Sequence, residues 1–147
     1  MKMKTLPIFL SFFVMGFGDV VGTLVGFASG TFHVSRAMAG LLPFAGFIAF
    51  GVLSVPAGVL AARRGKKFVL MLGLAVALAG MLIPIVTLGA YAFLLASIFL
   101  LGSGMAILQV AGNPIMRDVS APGRFARNLS FAQFIKAIGS LSGSVLT

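Results

Sequence analysis

The sequence predicts an all-α polytopic membrane protein with five transmembrane helices. Of its 147 residues, 60% are hydrophobic and only 9% are charged, and the mean hydropathy is +1.16. A soluble domain carries about 25% charged residues, so this chain has too few polar residues to cover a soluble surface. Five apolar runs are each close to the length of about 20 residues that crosses a bilayer. They occupy about 6–31, 37–62, 68–88, 91–116 and 129–147.

The five runs have the character of helices rather than of barrel strands. They are apolar around their whole circumference, which is typical of helices surrounded by lipid or by other helices. Barrel strands would alternate with period two over about ten residues, and these runs do not. The first run is too long for a signal-peptide core and lacks a convincing cleavage site, so we expect it to remain as a span.

The basic residues predict the orientation of the chain. Arg36 alone lies on one side, after the first run, and Lys136 lies inside the fifth run. The other nine precede the first run or follow the second and fourth: Lys2, Lys4, Arg63, Arg64, Lys66, Lys67, Arg117, Arg124 and Arg127. The positive-inside rule then predicts a multi-pass protein of the cytoplasmic (inner) membrane with a cytoplasmic N-terminus. The net charge of +9 is therefore interpreted as a topology signal, and no nucleic-acid partner is expected.

The apolar end of the chain predicts a larger assembly, and its few polar residues limit the chemistry it can perform. The fifth run continues to Thr147 without a flanking charge or polar tail. This indicates part of a larger bundle, completed by a missing C-terminal half or a complementary chain. With no Cys, one His and two acidic residues, the chain has little material for hydrolysis or metal binding. We therefore expect no enzymatic activity, no metal site and no cofactor.

Glycines predict how two of the runs pack. Gly18, Gly22, Gly26 and Gly30 recur every four residues in the first run, and Gly139 and Gly143 repeat this spacing in the fifth. Small residues at this spacing allow helix backbones to approach closely in lipid. We therefore expect both faces to contact neighbouring helices.

Two charged residues lie within the predicted membrane core. Asp19 is near the centre of the first run, where a charge costs about 2.5–3.5 kcal/mol on insertion scales and persists when it faces a cavity or a partner. It is either a proton-coupling site or a neutral acid bonded to a neighbouring helix. Lys136 follows Arg127 by nine residues, about 13 Å along a helix. It either lines a polar face with Gln133 or is an adventitious charge.

Neutral amides provide the remaining candidate site. Gln109 and Asn113 are four residues apart in the fourth run, and so share one helix face. Their donors and acceptors suit a polyhydroxylated ligand, although the same groups can simply hold helices together. Pro114 follows directly and predicts a bend.

The connection after the second run resembles a known signature. It reads Gly58-Val-Leu-Ala-Ala62-Arg63-Arg-Gly65-Lys66-Lys67-Phe-Val-Leu70, which is similar to the G-x-L-a-D-r-x-G-r-k-x-x-l loop of the major facilitator superfamily. Ala62 stands where that family usually has Asp. The resemblance implies a gating loop formed by Gly58, Arg63, Gly65, Lys66 and Lys67. It also implies that the chain belongs to the N-terminal six-helix half of a major-facilitator fold.

Further motifs resemble the fucose–galactose–proton symporter family within that superfamily. The segment from Leu108 to Pro114 is similar to its L-[E/Q]-x-A-x-N-P pattern, and Asp19 falls where that family has an Asp. Ser130-Phe-Ala-Gln133 is similar to its N-L-A-Q stretch, with Ser130 in place of Asn. Because Gln109 cannot titrate, the resemblance implies that proton traffic in this half depends on Asp19.

The resulting hypothesis is proton-coupled transport of a hexose-like sugar by a protein of which this chain is the N-terminal portion. Asp19 is the expected proton carrier. The substrate-binding residues are expected to be Gln109, Asn113, Gln133 and Lys136. The partners are the sugar, the proton and the lipid bilayer. The alternative is a truncated, non-transporting remnant or a small subunit that packs through its glycine faces.

Overall fold

The computed structural model describes the backbone of residues 6–17, 21–87 and 89–146. Within these ranges it describes all side chains except those of residues 17, 21–24, 144 and 146. The described residues are almost entirely helical, which confirms the predicted all-α class. In chain order the helices are α1 (Leu6–Phe17), α2 (Val21–Phe32), α3 (Arg36–Arg64), α4 (Lys66–Val86), α5 (Tyr91–Val119) and α6 (Phe125–Leu146).

Three helices of the described part are long and apolar enough to cross a membrane, namely α3, α4 and α5. They correspond to the second, third and fourth predicted runs. The first predicted run is covered by α1 and α2, with residues 18–20 outside the described part. Helix α6 covers the fifth predicted run but is not among those three. The predicted count of five spans is therefore not confirmed.

Helices α4 and α5 contact each other through small residues. A Cβ atom added at Gly80 would lie 2.7 Å from the backbone nitrogen of Leu101, and one at Gly104 would lie 2.5 Å from that of Ala77. The Ser97 hydroxyl donates a hydrogen bond of 2.6 Å to the carbonyl oxygen of Gly80. Close backbone approach and interhelical hydrogen bonds are the interactions that associate helices in lipid.

Helix α5 makes a second close contact, with α3. A Cβ atom at Gly102 would lie 2.8 Å from the Cα atom of Gly46. Near the start of both helices, the Tyr91 hydroxyl donates a hydrogen bond to the carbonyl oxygen of Met38. Because α3 and α4 both pack against it, α5 is the central helix of this group, and its residues from Leu94 to Met116 include many of the buried side chains.

Helices α1 and α6 cross at two glycines. A Cβ atom at Gly16 would overlap the carbonyl oxygen of Lys136, and one at Gly139 would overlap that of Phe13. The backbones of the two helices are therefore in direct contact, and the packing role predicted for Gly139 is confirmed.

The side chains of α1 join this pair to α5 in the main hydrophobic core. Phe12 and Met15 are 1% and 0% exposed, which shows that they are enclosed on all sides. The buried members of this core are Ile8, Phe9, Phe12, Met15, Ala77, Met105, Leu108, Met116 and Ala132. Four helices contribute to it, namely α1, α4, α5 and α6.

The packing face predicted from the glycines of the first run is not confirmed at two positions. A Cβ atom at Gly26 or Gly30 would meet no atom within 4 Å, and Gly18 lies outside the described residues. The close crossing occurs instead at Gly16, which is out of phase with that series. A four-residue spacing shows that glycines share a helix face, but it does not show that another helix covers that face.

Candidate functional site

The two amides predicted in the fourth run lie one turn apart on α5. The side chains of Gln109 and Asn113 are both partly buried. The Oδ1 atom of Asn113 is buried and accepts no hydrogen bond from any residue in the described part of the chain. A buried acceptor without a donor costs about 1–3 kcal/mol. Among the described residues, this oxygen is therefore an acceptor whose hydrogen-bonding capacity is unused.

The neighbours of these amides show which sector of α5 they occupy. A Cβ atom at Gly112 would lie 3.2 Å from the Cε atom of Met15 on α1. On another side of α5, Val110 approaches Gly58 of α3, where an added Cβ atom would lie 3.8 Å from its Cγ1 atom. Successive residues of a helix turn by about 100°. Gln109 and Asn113 therefore lie in the sector between the surface that meets α1 and the surface that meets α3.

The predicted α6 residues differ in their exposure. Gln133 is exposed and Lys136 is partly buried. The carbonyl oxygen of Lys136 lies against Gly16 of α1, so the backbone at this position is held by the helix crossing. Ala132, next to Gln133, is fully buried in the same core as Leu108 of α5.

Helix α1 places the two groups of predicted residues at one level of the bundle. Met15 lies against Gly112, the residue before Asn113, and Gly16 lies against the backbone of Lys136. Asp19, the predicted proton carrier, follows Gly16 by three residues in the sequence but lies outside the described residues. The structure thus places Gly112 of α5 and the backbone of Lys136 on the two sides of residues 15–16.

The predicted gating loop is a turn of one residue. Helix α3 ends at Arg64 and α4 begins at Lys66, and Gly65 between them has a φ of 89°. This left-handed conformation favours glycine, which explains the glycine of the motif. Arg63 and Lys67 are exposed. The Arg64 guanidinium lies 5.8 Å from the ring centroid of Phe68, within the range of a cation–π contact.

Sequence reasoning missed the acidic partner of this loop. The Nζ atom of Lys66 lies 2.5 Å from the Oδ2 atom of Asp118, near the end of α5. Asp118 is one of only two acidic residues in the sequence and is surrounded by basic segments. That isolation was a signal that it pairs with one of the basic residues, although spacing alone does not identify which.

The connection from α5 to α6 is fixed by polar side chains. The Nδ2 atom of Asn128 donates a hydrogen bond of 2.9 Å to the Ser120 hydroxyl, which donates one of 2.6 Å to the carbonyl oxygen of Met116. These bonds hold the start of α6 against the end of α5. Sequence reasoning assigned no role to Ser120 or Asn128.

Comparison with known proteins adds a family and several relatives. The family described as Major Facilitator Superfamily matches residues 8–147. A "Glucose/galactose transporter" of Brucella abortus is 33% identical over 134 residues, which are 89% of this chain and 32% of that protein. A "Putative glucose/galactose transporter" of Helicobacter pylori is 31% identical over 137 residues, or 91% of this chain and 33% of that protein.

A further relative is named as a symporter. The "L-fucose-proton symporter" of Haemophilus influenzae is 28% identical over 135 residues, which are 90% of this chain and 32% of that protein. The predicted resemblance to the fucose–galactose–proton symporters is thereby confirmed. The chain spans about a third of the length of the curated relatives it matches. No solved structure matches significantly.

Proposed function

Since the chain belongs to the major facilitator superfamily, we propose that it forms part of a transporter that carries a hexose-like sugar across the cytoplasmic membrane together with a proton. The apolar helices α3, α4 and α5 support a multi-pass membrane protein. The names of the relatives, which include glucose/galactose transporters and an L-fucose-proton symporter, support the sugar and the coupling ion.

In this proposal the predicted site residues divide by chemistry. Asp19 carries the proton, because a carboxyl group within the membrane core can take up and release one. The amides of Gln109, Asn113 and Gln133 and the ammonium of Lys136 bind sugar hydroxyls, which both donate and accept hydrogen bonds. Secondary transporters place such sites near the membrane midplane.

One observation carries the substrate assignment. The buried Oδ1 atom of Asn113 lacks a donor among the described residues, and a sugar hydroxyl is a donor of suitable size and polarity. Residues 15 and 16 of α1 lie between the α5 segment that carries this amide and the backbone of Lys136 on α6. The substrate assignment in this half therefore depends mainly on the α5 amide.

The loop between α3 and α4 has a gating role in the proposal, through Gly58, Arg63, Gly65, Lys66 and Lys67. Ala62 replaces the acidic residue that is usual in the family. The ion pair between Lys66 and Asp118 supports this role, because it joins the loop to α5 in the arrangement described here. Separation of these helix ends requires the pair to break.

The proposal is tested with the reading frame that contains this chain, expressed in full in membrane vesicles. Uptake of radiolabelled glucose, galactose and L-fucose is measured under an imposed pH gradient and as exchange without net proton flow. Asp19→Asn is expected to abolish accumulation but to retain exchange, since exchange tolerates a permanently neutral group. Full accumulation by this variant would contradict its role in proton coupling.

Asn113→Ala tests the substrate assignment in the same vesicles. It is expected to weaken sugar binding about tenfold, the effect of losing one well-made hydrogen bond. Ser54→Ala is the matched control, because the Ser54 hydroxyl donates a hydrogen bond within its own helix, to the carbonyl oxygen of Gly51. Equal effects of the two substitutions would contradict sugar binding by Asn113. Absence of uptake of all three sugars would favour a non-transporting remnant.

A further inference from the structure

An open cleft lies between the start of α1 and the connection from α5 to α6. Its volume is about 850 Å³ and its lining includes Phe9, Asp118, Arg124, Arg127, Asn128 and Phe131. Pockets for small molecules typically enclose about 300–1,000 Å³. The cleft is therefore large enough for a small ligand, and none of the residues proposed to bind sugar lines it.

Two kinds of surface meet in this cleft. Arg124, Arg127 and Asn128 provide hydrogen-bond donors, and Phe9 and Phe131 provide an apolar wall. The two phenylalanine rings pack edge to face with centroids 5.2 Å apart, and Phe131 remains 50% exposed. An exposed aromatic ring beside two guanidinium groups matches a molecule with an anionic group and a hydrocarbon chain.

The charge balance of the cleft favours an anion. Its acidic residue, Asp118, is paired with Lys66, and no acidic side chain of the described residues pairs with Arg124 or Arg127. Helix α6 begins at Phe125 with no acidic residue in its first turn. The partial positive charge at a helix N-terminus then adds to that of the arginines.

We propose that this cleft binds the phosphate-bearing headgroup of an anionic phospholipid, with an acyl chain along Phe131. Arginine binds phosphate oxygens through paired N–H donors. The cleft lies just beyond Val119, where the apolar helix α5 ends, and headgroups lie at that depth in a bilayer. In the predicted orientation this end faces the cytoplasmic leaflet, whose anionic lipids attract basic segments. The proposed lipid site is distinct from the proposed sugar site, because Gln109, Asn113, Gln133 and Lys136 do not line the cleft.

Native mass spectrometry of the full protein encoded by the reading frame that contains this chain, purified in detergent, tests the proposal. Phosphatidylglycerol and phosphatidylcholine with identical acyl chains are titrated separately onto each variant. Arg127→Gln is expected to weaken phosphatidylglycerol binding about tenfold, because it removes a charged hydrogen-bond donor. The matched control is Arg117→Gln, which removes the same charge from an exposed position at the end of α5. We expect the control to weaken binding less than about twofold.

Three results would overturn the proposal. Equal weakening by Arg127→Gln and Arg117→Gln would indicate general electrostatic attraction. Equal affinity for phosphatidylcholine would exclude selection of an anionic headgroup. Displacement of phosphatidylglycerol by millimolar glycerol 3-phosphate would identify a water-soluble phosphate as the ligand instead of a lipid. Arg127→Lys is a second variant, which retains the charge but lacks the paired donors. It tests the site even if the Gln variant misfolds. It is expected to bind phosphatidylglycerol with intermediate affinity.

Discussion

The ammonium group of Lys66 and the carboxylate of Asp118 form an ion pair that joins the first turn of α4 to the last turn of α5. The two residues are 52 positions apart in the sequence, and their side chains are 40% and 56% exposed. Exposure of both charges limits the strength of the pair. The main effect of the pair is therefore to hold the helix ends together next to the Gly65 turn.

The first prediction concerns the strength of this pair. Lys66→Gln and Asp118→Asn are each expected to lower the free energy of unfolding by at most about 1 kcal/mol, the range of exposed ion pairs. The charge exchange Lys66→Asp with Asp118→Lys should restore most of the loss. Thermal unfolding in detergent measures the double-mutant cycle, with Lys67→Gln as the control from the same loop. A coupling energy that persists in 1 M salt would contradict an exposed pair, since salt of about that strength screens surface charges.

The second prediction concerns the crossing of α1 and α6. Gly16→Ala and Gly139→Ala are each expected to destabilise the fold by about 1–3 kcal/mol or more, because overpacking forces backbones apart. Gly40→Ala and Gly51→Ala are matched controls on α3, where an added Cβ atom meets nothing within 4 Å. The controls should be neutral or slightly stabilising. Folded yield and melting temperature in detergent are the measurements, and equal yields from all four variants would contradict direct backbone contact.

The third prediction is the topology. The chain contains no Cys, so single cysteines at positions 33 and 65 are the only thiols in their variants. We expect a membrane-impermeant maleimide added to intact cells to label His33→Cys and not Gly65→Cys. Labelling of both after lysis is the control for accessibility. External labelling at position 65 alone would reverse the predicted orientation.

The fourth prediction is an interaction between Asp19 and Lys136. Gly16, three residues before Asp19, lies against the backbone of Lys136, and an unpaired charge within a membrane is costly. Loss of one member should therefore reduce the folded yield more than loss of both. The cycle uses Asp19→Asn, Lys136→Met and the double variant. Simple additivity would show that the two side chains face different surroundings.

Apolar run length predicted the helices well because it depends only on local composition. The second, third and fourth runs coincide with α3, α4 and α5 within a few residues. Gln109 and Asn113 were predicted to share a face, and both lie in one sector of α5. The pairing of Lys66 with Asp118 was not predicted, since it depends on how two helix ends meet. The close contact occurs at Gly16 rather than at Gly26 or Gly30 because of which helix packs there. Glycine spacing carries no information about the partner helix.

The contact between α1 and α5 is expected to permit movement more easily than the other helix contacts. Where α4 meets α5, and where α1 meets α6, backbones touch at Gly80, Gly104, Gly16 and Gly139, and at these points no side chain lies between the backbones to absorb a shift. Where α1 meets α5, the buried contact includes Met15, Met105 and Met116. Methionine is flexible and tolerates repacking. A rearrangement of these helices is therefore expected to proceed as sliding along the methionine-lined seam, with the α1–α6 pair moving as one rigid unit.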